Sequence, residues 1–395
     1  MGRRWIAVAL LTPVFLLGIT GCWSKEELND RTFAMAMMVD LTDEGKTELS
    51  MLFYLPNRLS TGVSASNSLQ KPFSLISRTG RNVAEALDNI QHELPRRITW
   101  GPMRIVIVGD RYASNGLRPL LDFLVRVSYI RLRTNLFYVS GEAKEVGALA
   151  PVFERFPSEV IREFSHMGIL PEVILKDLLY SEWNGLSDAY LPELRMRQGP
   201  VITEKMEGQK WIVSGRAALI KDGTKAAMFS DRGTRGIQWL ADDKPQMIVT
   251  VPSPSDGKLI SVLVQDTERK VSAERKGDEM IVRIGLRASG RLLSTESELD
   301  VTKADSIKLI QRAVSEEIKD QMEEAVALAR DNQADPFQWS EIAEYRFPSL
   351  WKEWQPQLRE RLADSVDARI TVRFELKDTG SEKDAVYSRK SDGSG

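Results

Sequence analysis

One thiol in 395 residues sets the first limit on this fold. Cys22 is the only cysteine, so no disulfide can close the chain on itself. A zinc site would need several thiolates or clustered histidines, and the two histidines, His92 and His166, stand far apart without a nearby second ligand. The architecture must therefore be held by buried apolar surface alone. That is feasible at this length, which predicts two or three domains rather than one core. Hydrophobic residues at 42% and charged residues at 28% suit an ordinary folded chain.

The setting of Cys22 gives it a second meaning. Arg3 and Arg4 make a short basic start, Ile6 to Leu17 form an apolar run, and Ile19-Thr20-Gly21-Cys22 closes the segment. This is the pattern of a signal peptide ending in a lipobox, with the thiol as the site of a diacylglycerol chain. An apolar run of about twelve residues is short of the roughly twenty that span a bilayer. Gly2 lacks the Ser or Thr at position 6 that myristoylation wants, because Ile6 is there. The mature chain is expected to begin at Cys22, outside the cytoplasmic membrane and anchored by lipid. Removing the signal leaves 52 basic against 56 acidic residues, about −4. Such a balance argues against nucleic acid, which demands a basic face. A weakly acidic body is also expected to gain no affinity from anionic lipid, so attachment rests on the two acyl chains and on protein partners.

Beyond a polar tether at 22–30, hydrophobic patterning divides the chain. Thr32 to Val39 is almost wholly apolar and reads as a strand buried on both sides, with Phe33, Met35 and Met37 on one face and Ala34, Ala36 and Met38 on the other. A strand at Lys46 to Tyr54 follows, then a Ser-, Gly- and Asn-rich stretch from Asn57 to Lys71 that reads as a mobile loop. Helical periodicity over Thr79 to Glu93, strands at Met103 to Val108 and Thr134 to Val139, and helices at Leu117 to Val127 and Glu142 to Leu149 make an α/β unit over 31–198. A mostly β middle domain is expected over 199–265, with a strand from Trp211 to Ile220 and a hairpin turn at Lys221-Asp222-Gly223-Thr224. The C-terminal domain, 266–379, combines antiparallel strands with a long helix from about Thr302, which with Asp305 can form its cap, to Arg330. Val366 to Leu376 alternates as a final strand, and 380–395 is expected to be a disordered tail. The fold class is thus α+β: three mixed α/β domains, each a sheet covered by helices, with an antiparallel-rich second half.

No catalytic motif emerges. Gly-x-Ser-x-Gly, a Walker loop, a dinucleotide fingerprint and His-Glu-x-x-His are all missing. Asp231-Arg232-Gly233-Thr234-Arg235-Gly236 lacks the strand-to-helix spacing of a phosphate cradle and reads as a turn before a helix. Asp242-Asp243, Glu316-Glu317 and Glu323-Glu324 are adjacent acids on exposed faces. His92 falls at a helix end, where an imidazole meets free carbonyls. The aromatic cluster Phe337, Trp339, Tyr345, Phe347, Trp351 and Trp354 supplies core area under the long helix rather than a sugar platform. The chain is read as a non-enzyme with no cofactor or metal and no evident small-molecule site.

In order along the chain, Gly21-Cys22-Trp23, Ser77-Arg78-Thr79-Gly80-Arg81, Val106-Ile107-Val108-Gly109, Leu121-Asp122-Phe123-Leu124-Val125-Arg126, Ser214-Gly215-Arg216-Ala217-Ala218-Leu219, Thr234-Arg235-Gly236-Ile237-Gln238-Trp239-Leu240 and Asp335-Pro336-Phe337 resemble the Ger(x)C family of germination lipoproteins, the C subunits of spore germinant receptors. Pro102 stands where that family has His, Val127 where it has Asp or Asn, and a glycine-containing turn is expected near Gln338-Trp339. The resemblance implies three mixed α/β domains and a scaffold or coupling role beside a transporter-like B subunit and an A subunit. It also implies a lipid anchor on Cys22 at the outer face of the spore inner membrane. Two rival classes are a solute-binding lipoprotein of a transporter, which needs two similar lobes, and a surface hydrolase, which needs a convergent acid–base cluster.

Overall fold

The computed structural model describes residues 30–55, 72–149, 154, 156–185, 188–198, 210–213, 215–241 and 246–380. Cys22, the signal segment, the loop expected at 57–71, Asp242-Asp243 and the tail beyond Gly380 lie outside them. The first sheet contains β1 (Arg31–Leu41), β2 (Thr47–Tyr54), β3 (Phe73–Gly80), β4 (Arg97–Thr99), β5 (Ile105–Gly109) and β6 (Asn135–Val139). Their order is β3-β2-β1-β5-β6, with β4 on the amino end of β1. The strands β1, β5 and β6 run parallel. Helices α1 (Val83–Gln91), α2 (Asp110–Asn115), α3 (Arg118–Arg126), α4 (Ala143–Ala148), α5 (Pro157–His166) and α6 (Leu175–Asn184) accompany it. Apolar side chains cover both faces: Met37, Val106 and Leu136 join α1 and α3, while Met38, Ile107 and Phe137 join α4 and α5. A bulge between Ala34 and Ala36 breaks the strict alternation expected of β1. Ala34 therefore shares a face with Met37 and Val39, because an inserted residue shifts the phase of all that follow. β3 occupies residues 73–78, which sequence patterning left unassigned, and takes Thr79 and Gly80 from the expected helix, which starts at Val83 instead.

Next come β7 (Ala189–Pro192), β8 (Arg195–Gln198), β9 (Lys210–Val213), β10 (Ala217–Lys221), β11 (Thr224–Phe229) and α7 (Asp231–Leu240). The strand expected from Trp211 to Ile220 is two strands, separated at Gly215, whose φ is 153°. β11-β10-β7 form one small sheet and β8-β9 a ribbon. Asp222 and Gly223, at φ 52° and 74°, form the two-residue turn whose twist suits a tight hairpin.

The last sheet has the order β12-β13-β14-β15, from β12 (Met247–Pro252), β13 (Leu259–Lys276), β14 (Glu279–Thr295) and β15 (Val366–Asp378). β15 runs parallel to β14, and the other pairs are antiparallel. One face is packed by α8 (Ala304–Asp331) through Ile310, Val314, Ile318 and Met322. The helix starts at an N-cap Lys303 without a side-chain cap bond, while Thr302 is instead held by Asp300. Helices α9 (Trp339–Arg346), α10 (Pro348–Trp354) and α11 (Leu358–Ser365) close the core with Trp339, Trp351 and Trp354; Tyr345 is left exposed. β13 runs without a break through residues 265 and 266, where the sequence reading parts the middle from the C-terminal domain.

The segment Asp231–Gly236 is a finding against expectation. It is helix from its first residue, capped by the Ser230 hydroxyl, which accepts from the Gly233 N–H at 2.9 Å. Of its two glycines, Gly236 is there for packing. A Cβ on Gly236 would fall inside the Gln321 carbonyl group of α8, 2.6 Å from the carbon, and 3.0 Å from the Ala325 Cβ. Trp239 reaches the same turn, donating its indole N–H to the Gln321 side-chain oxygen at 2.8 Å.

Candidate functional site: a hairpin between two cores

The β10–β11 hairpin begins with alternation. Ala217 and Leu219 are buried in the C-terminal core, together with Phe229, Val262 and Ile318. Ala218 and Ile220 are buried in the N-terminal core, with Leu191, Leu117 and Leu178. Side chains of a strand point to opposite sides at period two, so β10 forms the wall shared by both cores. The middle segment thus packs on its two neighbours rather than around a centre of its own.

Charged residues on the hairpin fasten it on both sides. Arg216 donates to the wholly buried Glu193 at 2.7 and 3.0 Å. Lys225 pairs with Asp110, which also accepts from the Tyr138 hydroxyl at 2.6 Å. Burial works against the Asp110 charge, yet these two partners hold its carboxyl below the usual range. Burial and the Asp110 contact push the Tyr138 phenol well up. The Leu117 N–H donates to the Gly223 carbonyl at 2.7 Å. All of these bind the hairpin to the N-terminal half.

The tip of the hairpin meets the C-terminal half around Asp188, whose side chain is 1% exposed. Its carboxylate accepts from Arg359 of α11 at 2.7 and 3.1 Å, from the Asp222 N–H at 3.1 Å and from the Asp335 N–H at 2.8 Å. The Asp188 N–H returns a bond to the Asp335 carbonyl at 3.0 Å. Arg359 also pairs with the Asp222 carboxylate, and Lys221 donates to the Asn332 carbonyl at 2.8 Å. Burial opposes the Arg359 charge, but the carboxylates Asp188 and Asp222 more than offset it. Asp335 accepts from the Trp339 and Ser340 N–H groups at 2.8 and 2.7 Å, satisfying the free donors that open α9. Full burial still pushes its carboxyl up to about 6, opposed by those N–H groups and helped by the Asp188 charge. Gln338, just before α9, takes the left-handed φ of 61° where a glycine-containing turn was expected.

A cleft of about 620 Å³ opens beside this joint, lined by Tyr190, Phe337, Trp339, Ile342, Arg269 and Asp177 among others. A second groove, about 310 Å³, runs between α3 and α6 past Val125, Leu179 and the exposed Trp183. His92 sits at the C-cap of α1 with an exposed ring 3.5 Å from Asp88, and His166 lies in the last turn of α5. The adjacent acids on α8 meet Arg232, which reaches Glu317 at 2.9 Å and Glu324 at 3.8 Å. Among the described residues no three His, Cys, Asp or Glu side chains gather to hold a metal, and no helix is long and apolar enough to cross a membrane. Sequence reasoning found the hairpin turn and Asp335 but missed Asp188, Arg359, Glu193 and Asp110. The Asp188–Arg359 pair joins residues 171 apart in sequence, and no local pattern marks it.

Known proteins match this chain over most of its length. Residues 24–196 match the family described as spore germination protein N-terminal domain, and residues 215–380 match spore germination B3/GerAC like, C-terminal. Similar proteins of Bacillus subtilis (strain 168) include a putative spore germination protein, YfkR, 25% identical over 85% of this chain and 86% of its own. Spore germination protein KC is 20% identical, with 93% and 95% covered, and spore germination protein B3 is 19% identical, with 93% and 96% covered. The crystal structure of the GerBC protein superposes with a TM-score of 0.57 at 12% identity, covering 86% of this chain and 96% of that one.

Proposed function

The chain belongs to the spore germination B3/GerAC-like family, and from that premise we propose that it is a non-enzymatic, lipid-anchored subunit of a nutrient germinant receptor. Its role is in germination; the finer reading is that it acts as a scaffold coupling membrane-embedded partners, the receptor A and B subunits. The lipid on Cys22 holds it at the outer face of the spore inner membrane. Two acyl chains suffice for stable attachment, and the anchor turns a weak contact with a membrane partner into a nearly intramolecular one.

One observation carries the coupling half of this reading: β10 is built into both cores, and its hairpin is ion-paired to each side. A displacement imposed on either half must move the hairpin or break buried pairs. Receptor complexes purified from spore membranes, crosslinked and mapped by residue, test the proposal. Crosslinks from both the N-terminal and the C-terminal half to membrane-embedded subunits are expected; recovery as a free protein without such crosslinks would sink it. The open 620 Å³ cleft favours a second reading, in which this chain itself binds a solute as a transporter lipoprotein would. Saturable binding of a nutrient, lost on filling the cleft with Ile342→Trp, would move the assignment there.

A further inference from the structure

We infer that the amino end of the first sheet is a membrane-facing surface that binds anionic lipid headgroups through Arg131, Arg133 and Lys176 and seats Tyr129 and Leu132 in the interface. This rests on the lipid-anchor reading above and adds an orientation to it. Because β1, β5 and β6 are parallel, everything that enters them lies at one end of the sheet. The loop 127–134 enters β6 there, and the tether enters β1 there. Ala36 stands level with Ile105, and Ile105 with Asn135, so Arg31 projects five residues, about 16 Å, beyond the start of β6. Eight residues separate Cys22 from Arg31, a reach of at most about 28 Å. The lipid therefore holds this end close to the bilayer, whatever path the tether takes.

The chemistry of that end fits a charged lipid surface. Tyr129 is 76% exposed and Leu132 53%, an aromatic and an aliphatic tip between exposed cations. Arg131, Arg133 and Lys176 make no ion pair among the described residues, whereas Arg126 is paired with Asp122. The Lys176 N–H donates to the Leu132 carbonyl at 3.0 Å and the Leu175 N–H to Thr134 at 2.8 Å, which holds the start of α6 against the loop. Arg104 is depressed first by its own burial and then by the charges of Arg131 and Arg162, of which Arg162 is itself paired with Glu163 at 3.0 Å; Arg131 thus adds positive charge beside another guanidinium. The nearby acids Glu172 and Asp177 line the interdomain cleft; Asp177 feels the adjacent Lys176 charge, so the two arginines carry most of the uncompensated charge. At the opposite end, Asp40, Asp43, Glu48, Asp110 and Glu142 share one cavity with Arg111 and Lys144. A near-neutral total thus hides a polarised domain, and the expectation that the body gains nothing from anionic lipid is revised: net charge does not report how charge is distributed. Exposed aromatic and aliphatic tips among Arg and Lys are the composition that interfacial binding selects.

The test uses the lipidated whole chain, in which the thiol of Cys22 is consumed, so that Ser128→Cys or Ser140→Cys supplies the one free thiol for an environment-sensitive fluorophore. On phosphatidylglycerol–phosphatidylcholine vesicles the label at 128 should shift to the blue and the label at 140, at the acidic end, should not. Arg131→Gln with Arg133→Gln should abolish that shift. A label at 128 that stays aqueous on bound protein, or shifts equally on pure phosphatidylcholine, overturns the proposal. So does a shift that needs added membrane proteins, which would assign the patch to an acidic protein partner. A second arm needs no anchor: the Cys22→Ala chain should lose about thirtyfold in affinity for phosphatidylglycerol vesicles on the same double neutralisation, roughly fivefold per residue. An unchanged affinity there refutes the patch, while detachment of Cys22→Ala from native membranes bears only on the anchor.

Discussion

The two glycines of α7 make opposite predictions for the same substitution. Gly→Ala in a helix normally stabilises by about 0.5–1 kcal/mol, since alanine loses less backbone freedom. At Gly233 a new Cβ would meet nothing closer than 3.5 Å, so Gly233→Ala should stabilise by up to that amount. At Gly236 the Cβ has no room against the Gln321 backbone, and α7 must move off α8. Overpacking of this kind costs about 1–3 kcal/mol. Separation also threatens the buried Trp239–Gln321 bond, another ~1 kcal/mol. After the helix-propensity gain, Gly236→Ala should destabilise by about 1–3.5 kcal/mol. Denaturant unfolding of both variants beside the parent checks this. Similar midpoints for the two variants, or a stabilised Gly236→Ala, would refute the claim that this glycine exists for helix contact.

Three further outcomes follow from the joint and the core. Asp188→Ala leaves Arg359 facing a gap, and because breaking one partner of a buried pair is severe, a loss of about 3 kcal/mol is expected; a double variant with Arg359→Met should lose clearly less than the two single changes added together. Asp335 and Asp40 are raised from 3.8 to about 6 in the fold, chiefly by burial, so the folded state holds their protons more tightly than the unfolded one. The stability they contribute is full below about pH 4 and lost as pH rises through about 6, and Asp335→Asn should flatten that limb in unfolding curves taken from pH 4 to 7. Ile318→Ala, wholly buried on α8, should cost about 2–5 kcal/mol, measured by chemical denaturation.

Local pattern carried most of the secondary structure. β1, β5, β6 and β15 are strings of apolar or alternating residues, and α8 keeps its helical period over 28 residues. The reading failed where tertiary contact overrode a local cue. Gly236 looks like a loop residue until the neighbouring α8 is known, because a glycine chosen for close approach and one chosen for a turn are the same letter. The bulge at Ala34 changes strand phase by a single residue, which periodicity over a short run cannot resolve, and the break at Gly215 hands the chain from one sheet to another, which no local pattern marks. β13 carries so many charges beyond Val264 that it reads as two strands, yet pairing with β14 continues to Lys276. Of the joint, the turn at Asp222-Gly223 was legible from its chemistry and Asp335 from a family motif. Asp188 and Arg359 were not, since a buried charge is recognisable only through a partner that folding brings from far along the chain.

Membrane attachment through Cys22 is the premise on which coupling depends, and it has one decisive measurement. Spores carrying Cys22→Ala should be fractionated and challenged with nutrient in parallel with the parent strain. The account predicts that the variant protein leaves the membrane fraction and that the nutrient response weakens, while the purified Cys22→Ala protein keeps the parent's unfolding midpoint. Full retention at the membrane with an undiminished response would contradict it.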